Sequence, residues 1–306
     1  MQSVTSTTSQ FSTLCSQHSL TIEIADITIA LISVDPKLRL RADETTKKFL
    51  DPNTTPDVTI KGCWDDLAQV ENRGKIFDSG SVWKLYQNNG SYLFSLNSPI
   101  FGPVPYKVAK AQKDFTRVEV ALHRPYFDPD KPIYPLEYPL DELLLINLLA
   151  LGRGVEVHGC GVVDPSGRGH LFIGQSGAGK STMAKLWKDT PGVTILSDDR
   201  IILRQIDKKL WMYGTPWHGE AMLASPERAP LTRIYFLEKG NKNELVSLRD
   251  SLALGRLITC SFIPFYSQPG IAFTLSFFEK LVKEVPCCEL RFVPDKRAVE
   301  FINERS

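Results

Sequence analysis

The sequence predicts an α/β domain in its second half, built around a phosphate-binding loop, preceded by a mainly β region. Three observations carry that prediction. Gly174-Gln175-Ser176-Gly177-Ala178-Gly179-Lys180-Ser181 matches the GxxxxGKS pattern, with the apolar run "HLFI" before it and a helical stretch after it. From Val155 onward, short apolar runs alternate with segments of helical spacing. Ahead of residue 124 the apolar residues alternate one by one, the period of half-buried strands.

The chain's 306 residues suffice for two ordinary domains. Apolar residues make up 42% and charged residues 23%, which is ordinary globular composition. A formal net charge of +1 provides no electrostatic footprint for nucleic acid or for an acidic membrane surface. No apolar run approaches the roughly 20 residues that span a bilayer. Residues 1–18 are polar and Ser/Thr-rich without an apolar core, so they are expected to form a flexible tail and not a secretory signal. The six cysteines contain no CxxC pair, and adjacent Cys287 and Cys288 suit neither a disulfide framework nor zinc. Reduced thiols in a cytoplasmic protein are the expectation.

In chain order, Leu20, Ile22, Ile24 and then Ile27, Ile29, Leu31 alternate on either side of Ala25-Asp26, which predicts two strands. A short helix is expected near Glu44 to Leu50. "VWKLYQNNGSYLFSL" predicts a hairpin turning at Asn89-Gly90, and "FTRVEVAL" a further strand. The mainly β region thus covers 19–124. Prolines at 125, 129, 132, 135 and 139 make 125–139 a connector, and the domain that carries the phosphate-binding loop is assigned to 140–306. "LDELLLINLLAL" is apolar nearly all round, as for a helix buried between layers. "VEVHGCGVV", "HLFIG", "VTILS", "RIILRQI", "LTRIYFLE" and "CELRFV" are strand-like. Helices are expected at 180–188, 251–262 and 271–285, with a last one capped by Asp295.

The chemistry concentrates in three places. In the loop Gly174 to Thr182, glycines let backbone N–H groups turn inward toward phosphate oxygens, and the following helix aims its positive end at the same charge. Lys180 is placed to reach the β- and γ-phosphates and the Ser181 hydroxyl to coordinate Mg²⁺. Next, "VTILSDDR" carries Asp198 and Asp199 off the end of an apolar strand, where one acid can serve a metal and the other a proton transfer. Adjacent residues on a strand point to opposite sides, which argues against a shared-proton dyad. Finally, His158-Gly159 stands sixteen residues before Gly174. His123 and His170 are expected to be structural.

Together, "VEVHGCGVVDPSGRGHLFIGQSGAGKSTMAKL" and "VTILSDDRIIL" resemble the catalytic domain of the HPr kinase/phosphorylase family, itself structurally related to ATP-dependent phosphoenolpyruvate carboxykinases. The resemblance covers roughly Val155 to Leu203 and continues more weakly to about Arg291. It implies a P-loop kinase fold that uses ATP and Mg²⁺, with Gly174, Gln175, Ser176, Gly177, Ala178, Gly179, Lys180, Ser181 and Thr182 around the nucleotide. It further implies Asp199 as the base, Asp198 as support for metal or base, His158 against the transferred phosphate, and Ser181, Asp198 and Glu220 at the metal. The family assembles as oligomers, so a homo-oligomer is implied as well. Where the family has an acidic residue after the loop serine, this chain has Thr182. In place of the family's later signature it has "YGTPWHGE", whose Trp217, His218 and Glu220 either face the phosphate edge or form a turn packing Trp217 inward. Arg200, Arg204 and Arg233 are candidate sources of transition-state charge.

The expectation is a Mg-ATP-dependent kinase acting on a hydroxyl, a serine of a small protein or peptide. The alternatives are a small-molecule kinase or carboxykinase-like phosphotransferase, and an ATP-binding regulatory module that transfers nothing.

Overall fold

The computed structural model describes residues 17–52, 54–70 and 74–305. It is a mixed α/β structure with two large sheets, and its contacts divide the chain into two compact units. The first ends at Leu140; the second takes Asp141 onward together with Ile24–Asp26. The expected flexible tail, 1–18, falls outside the described residues except for Gln17 and His18. The carbonyls of these two accept from the N–H groups of Leu40 (2.7 Å) and Ser33 (2.8 Å).

The first unit is one eight-stranded sheet. Its strands are β1 (Ser19–Glu23), β2 (Thr28–Ser33), β3 (Val58–Asp65), β4 (Lys75–Asp78), β5 (Trp83–Asn88), β6 (Ser91–Leu96), β7 (Lys107–Gln112) and β8 (Arg117–His123). They lie in the order β1-β2-β3-β8-β7-β6-β5-β4. Burial alternates along β3 and β8, so one face carries Val58, Ile60, Val118 and Val120 into a core. The β5–β6 hairpin turns at Asn89 and Gly90, with φ of 44° and 85°, the positive-φ pair a tight hairpin turn requires. The helix expected near Glu44 to Leu50 is instead a single 3₁₀ turn, Thr46–Phe49. Asp43 Oδ1 accepts from the N–H groups of Thr45 and Thr46 at its start. Leu50 then goes extended to bridge Ile22, which leaves no room for a second turn. The proline-rich stretch begins with a 3₁₀ turn at Arg124–Tyr126, and its Ile133 bridges Leu40.

The second unit runs α1 (Leu140–Leu149), β9 (Val155–Val163), β10 (Gly169–Ile173), α2 (Lys180–Lys188), β11 (Thr194–Ser197), β12 (Arg200–Ile206), β13 (Lys209–Tyr213), β14 (Arg228–Lys239), β15 (Glu244–Ser247), α3 (Asp250–Thr259), α4 (Gln268–Glu284), β16 (Cys287–Phe292) and α5 (Arg297–Asn303). Strand order is β10-β9-β12-β13-β14-β16-β15, with β11 on β9 and a further parallel pairing of β10 with β14. Because β14 is twelve residues long, its first part pairs with β13 and its later part with β10 and β16. The circuit β10-β9-β12-β13-β14 therefore closes on itself.

This sheet is buried on both faces. Leu171, Ile173, Val157, Ile201 and Phe236 pack with Leu257 of α3 and Phe278 and Leu281 of α4. Phe172, Tyr235 and Leu290 point the other way, onto Met183 and Trp187 of α2 and Val299 and Ile302 of α5. Successive strand residues feed opposite layers, so the strands read as continuous apolar runs, as sheets covered on both faces require. The final helix starts later than expected, with Lys296 at its cap; Asp295 Oδ1 instead accepts from the Arg297 N–H.

Candidate functional site

The site gathers at the end of β10, at the junction of β11 and β12, and at His158 within β9. Strand β10 delivers the chain into the loop 174–179, and α2 begins at Lys180. Gly179 stands at the helix cap with φ of 108°, and a Cβ there would meet the Phe292 ring at 2.7 Å, so the turn admits only glycine. The Lys180 side chain lies back along the loop, donating from Nζ to the carbonyls of Gly174 (2.8 Å) and Gln175 (3.2 Å). Burial pushes the Lys180 ammonium below its ordinary value. Asp199 is the carboxylate that most opposes this shift, so the two groups feel each other directly. Gln175, Ser176 and Gly177 are exposed, Ser181 and Thr182 half-buried. A cleft of about 440 Å³ opens along Gly174 to Ala178 and is walled by Phe236 to Lys239, Arg256, Thr259 and Cys260.

His158 and Asp199 come together through strand pairing. β9 and β12 are antiparallel, with His158 opposite Arg200, and the Gly159 N–H donates to the Asp199 carbonyl at 3.0 Å. His158 Nε2 then donates to Asp199 Oδ1 at 2.9 Å; a carboxylate only accepts, so the ring proton sits on Nε2. Burial alone would raise the Asp199 carboxyl. The His158 hydrogen bond and the charges of Arg200, His158 and Lys180 outweigh it and hold Asp199 below the usual carboxylate range. Asp199 is thus an ionised, oriented, partly exposed acceptor.

Of the three candidate arginines, Arg200 is the one that reaches the His158–Asp199 pair. Its Nη1 bonds Asp199 Oδ2, its Nε bonds Glu142 Oε1 at 2.7 Å, and its guanidinium lies 4.3 Å over the Phe262 ring. Arg204 and Arg233 are turned to the backbone carbonyls of Arg153 and Arg305. Sequence reading ranked none of the three, and missed Glu142 and Glu156. For Glu156 a signal existed: in "VEVHG" it shares the alternation phase of His158, hence the same face.

Asp198 is differently occupied from what the sequence led us to expect. Its side chain is fully buried. Oδ1 accepts from the N–H groups of Gly219 (2.9 Å) and Leu223 (3.3 Å), and Oδ2 from that of Ala221 (2.9 Å). Three of its acceptor positions are thereby taken up by a backbone loop, an occupation that the sequence does not announce. The loop packs so closely that a Cβ on Gly219 would sit 2.8 Å from Asp198 Oδ2. Glu220 stands exposed on this loop, and His218 Nδ1 lies 3.1 Å from the Gly219 carbonyl. Trp217 packs inward, donating from Nε1 to Asp141 Oδ2 at 2.8 Å, while its carbonyl accepts from the Ser197 hydroxyl at 2.9 Å. Of the two readings of "GTPWHGE", the inward turn describes Trp217.

His170 is buried against Asp164 (3.2 Å), and His123 Nδ1 accepts from the Leu67 N–H (3.0 Å); both are structural. Among the described residues, no group of three or more His, Cys, Asp or Glu side chains stands together as a metal cage. Mg²⁺ needs no such cage, because it keeps several waters and is held chiefly by substrate phosphates with one or two protein ligands. The Ser181 hydroxyl at the start of α2 is suited to be one of these. The described cysteines are free thiols, and no described helix is long and apolar enough to cross a membrane.

No protein-family model matches the chain, and no curated protein matches it. Among solved structures it is similar to the HPr(Ser) kinase/phosphatase from Coxiella burnetii, at 15% identity over 42% of this chain and 92% of that chain, with a TM-score of 0.23. A likeness of that extent leaves function to be argued from this chain's own residues.

Proposed function

We propose that this chain is a Mg-ATP-dependent phosphotransferase that moves the γ-phosphate to a hydroxyl, with a serine of a peptide or small protein as acceptor. The observation that carries the reading is the His158–Asp199 pair at 2.9 Å, set beside a lysine that opens a helix after a glycine loop. Loop N–H groups of 174–182 and the positive end of α2 hold the phosphates, and Lys180 exchanges its loop carbonyls for phosphate oxygens. Ser181 would hold Mg²⁺, which would supply neutralisation of phosphate charge, and the resemblance adds Glu220 as a further ligand. The acceptor hydroxyl gives its proton to Asp199 as its oxygen bonds phosphorus, and the bond from phosphorus to the ADP oxygen breaks. His158 keeps the Asp199 lone pair aimed and lies against the transferred group.

The test is incubation of the purified protein with Mg²⁺ and γ-labelled ATP, in one arm with serine-containing peptides and small proteins, in another with small hydroxyl metabolites. Label on a peptide serine is expected. Label only on a metabolite would replace the acceptor class, and tight ATP binding with no transfer in either arm would make the chain a binding module.

A further inference from the structure

Behind Asp199 lies a buried cluster of charge that the transfer step does not use. Glu156 and His158 alternate on one face of β9, and Arg200 lies opposite His158 on β12, so Arg200 and Glu156 are diagonal neighbours on that face. Glu142, from the first turn of α1, meets the same guanidinium. Arg200 thus faces three carboxylates: Glu142 at 2.7 Å, Asp199 in direct contact and Glu156 at 3.6 Å. The side chain of Glu156 is 0% exposed and that of Glu142 6%.

Both Glu156 oxygens are buried and, among the described residues, receive no hydrogen bond. Asp141 on α1 adds a further negative charge nearby, while Arg200 is the cation facing them. An ionised carboxylate placed there, without donors and beside other acids, would cost several kcal/mol. A proton on Glu156, donated to Glu142, removes that cost, because it converts an orphan acceptor into a donor. Burial and the Glu142 charge, against the pull of Arg200, do push the Glu156 carboxyl well above its ordinary value.

We propose that Glu142 and Glu156 share one proton, and that this singly charged pair fixes Arg200 as a clamp that positions Asp199 against His158. The planar guanidinium suits a clamp, because its Nε is committed to Glu142, its Nη1 to Asp199, and its face to Phe262. With Glu156 neutral, Glu142 and Asp199 divide the arginine. With Glu156 ionised, a second buried carboxylate would draw Arg200 inward, away from Asp199. Arg200 and Glu142 are positioning residues, while Glu156 bears on them only through its charge; the catalytic consequence rests on the phosphotransferase reading, and the shared proton does not.

The experiment has two readouts on the full chain. Infrared spectroscopy at neutral pH is expected to show the carbonyl stretch of a protonated carboxyl that disappears in Glu156→Gln; no such band in the unsubstituted protein, or a band unchanged by the substitution, overturns the shared proton. Steady-state ADP release from Mg-ATP is measured alongside. Glu156→Gln, whose amide mimics the neutral acid, should keep kcat within about twofold, whereas Glu142→Gln and Arg200→Lys should lower kcat roughly 10²-fold, the scale of an ångström-sized misplacement, with KM for ATP little changed. Glu142→Asp should recover part of the loss. Equal losses in Glu156→Gln and Glu142→Gln would overturn the clamp, as would full activity in Arg200→Lys. If Glu142→Gln fails to fold, as judged by circular dichroism, Arg200→Lys and Glu156→Gln still decide it. Absence of any Mg-ATP turnover in the unsubstituted protein would sink the phosphotransferase reading, and the clamp's catalytic role with it, while the infrared band still decided the proton.

Discussion

Asp198→Asn separates an anchor from a metal ligand. The carboxylate accepts three backbone N–H groups, from Gly219, Ala221 and Leu223. Asparagine can keep its oxygen toward Gly219 and Leu223, but its NH₂ then faces the Ala221 N–H across 2.9 Å, donor against donor. One charge-assisted bond is lost and a buried donor is left unsatisfied, together costing about 2–4 kcal/mol. Hydrogen exchange followed by mass spectrometry reads this at residues 217–224. At about 1.4 kcal/mol per tenfold, protection there should fall roughly 30- to 700-fold, with α4 unchanged. Calorimetric affinity for ATP in saturating Mg²⁺ should stay within about threefold, since the anchor touches no phosphate. Unchanged protection at 217–224, together with a large loss of Mg-ATP affinity, would refute the anchor and restore Asp198 as a metal ligand.

Three further outcomes follow from the same geometry. Asp199→Asn should lower phosphotransfer by about 10²- to 10⁴-fold, the range of general-base catalysis, while calorimetry finds Mg-ATP still bound; full activity would remove the base assignment. Lys180→Ala should weaken ATP binding about 10- to 100-fold, one or two charge-assisted hydrogen bonds, and unaltered affinity would mean the loop does not hold phosphates. Stability should depend on pH through Glu156, because its folded value is raised. Above the ordinary glutamate value of about 4.3, the unfolded chain is ionised while the folded one keeps its proton, so stability falls by up to about 1.4 kcal/mol per pH unit until the folded value is reached. Asp199 acts in the opposite sense: its stabilisation is present above its ordinary value of about 3.9 and is lost only as pH falls through its lower folded value. From pH 4.5 upward, therefore, urea unfolding of Glu156→Gln should show a flatter pH profile than the unsubstituted protein; parallel profiles would mean that Glu156 is ionised in the fold.

Local signals were legible wherever the chain enforces them residue by residue. The Asn89-Gly90 turn, the apolar runs of β9, β10 and β12 and the opening of α2 at Lys180 all follow from φ preference, strand alternation and helix start chemistry. The strands β4 and β15 span only four residues each, too short for a period to register; their pairing with β5 and β16 creates them. The 3₁₀ turn at Thr46–Phe49 shows a different limit, since the extended Leu50 bridging Ile22 ends it before an α-helix can form.

Within the site the division is sharper. The sequence by itself determined that a glycine loop, a lysine, two acids and a histidine are present, because their spacing is covalent. The resemblance assigned Asp199 as the base and Asp198 as support for metal or base, but spacing alone did not separate the two acids. Only the tertiary structure turned one acid into the 219–223 backbone and the other toward His158, because the loop that occupies Asp198 lies more than twenty residues further along the chain. The same holds for Arg200, Glu142 and Glu156. Their charges balance only after α1, β9 and β12 have packed, and charge balance in a buried space is a property of the assembled neighbourhood, not of any one segment.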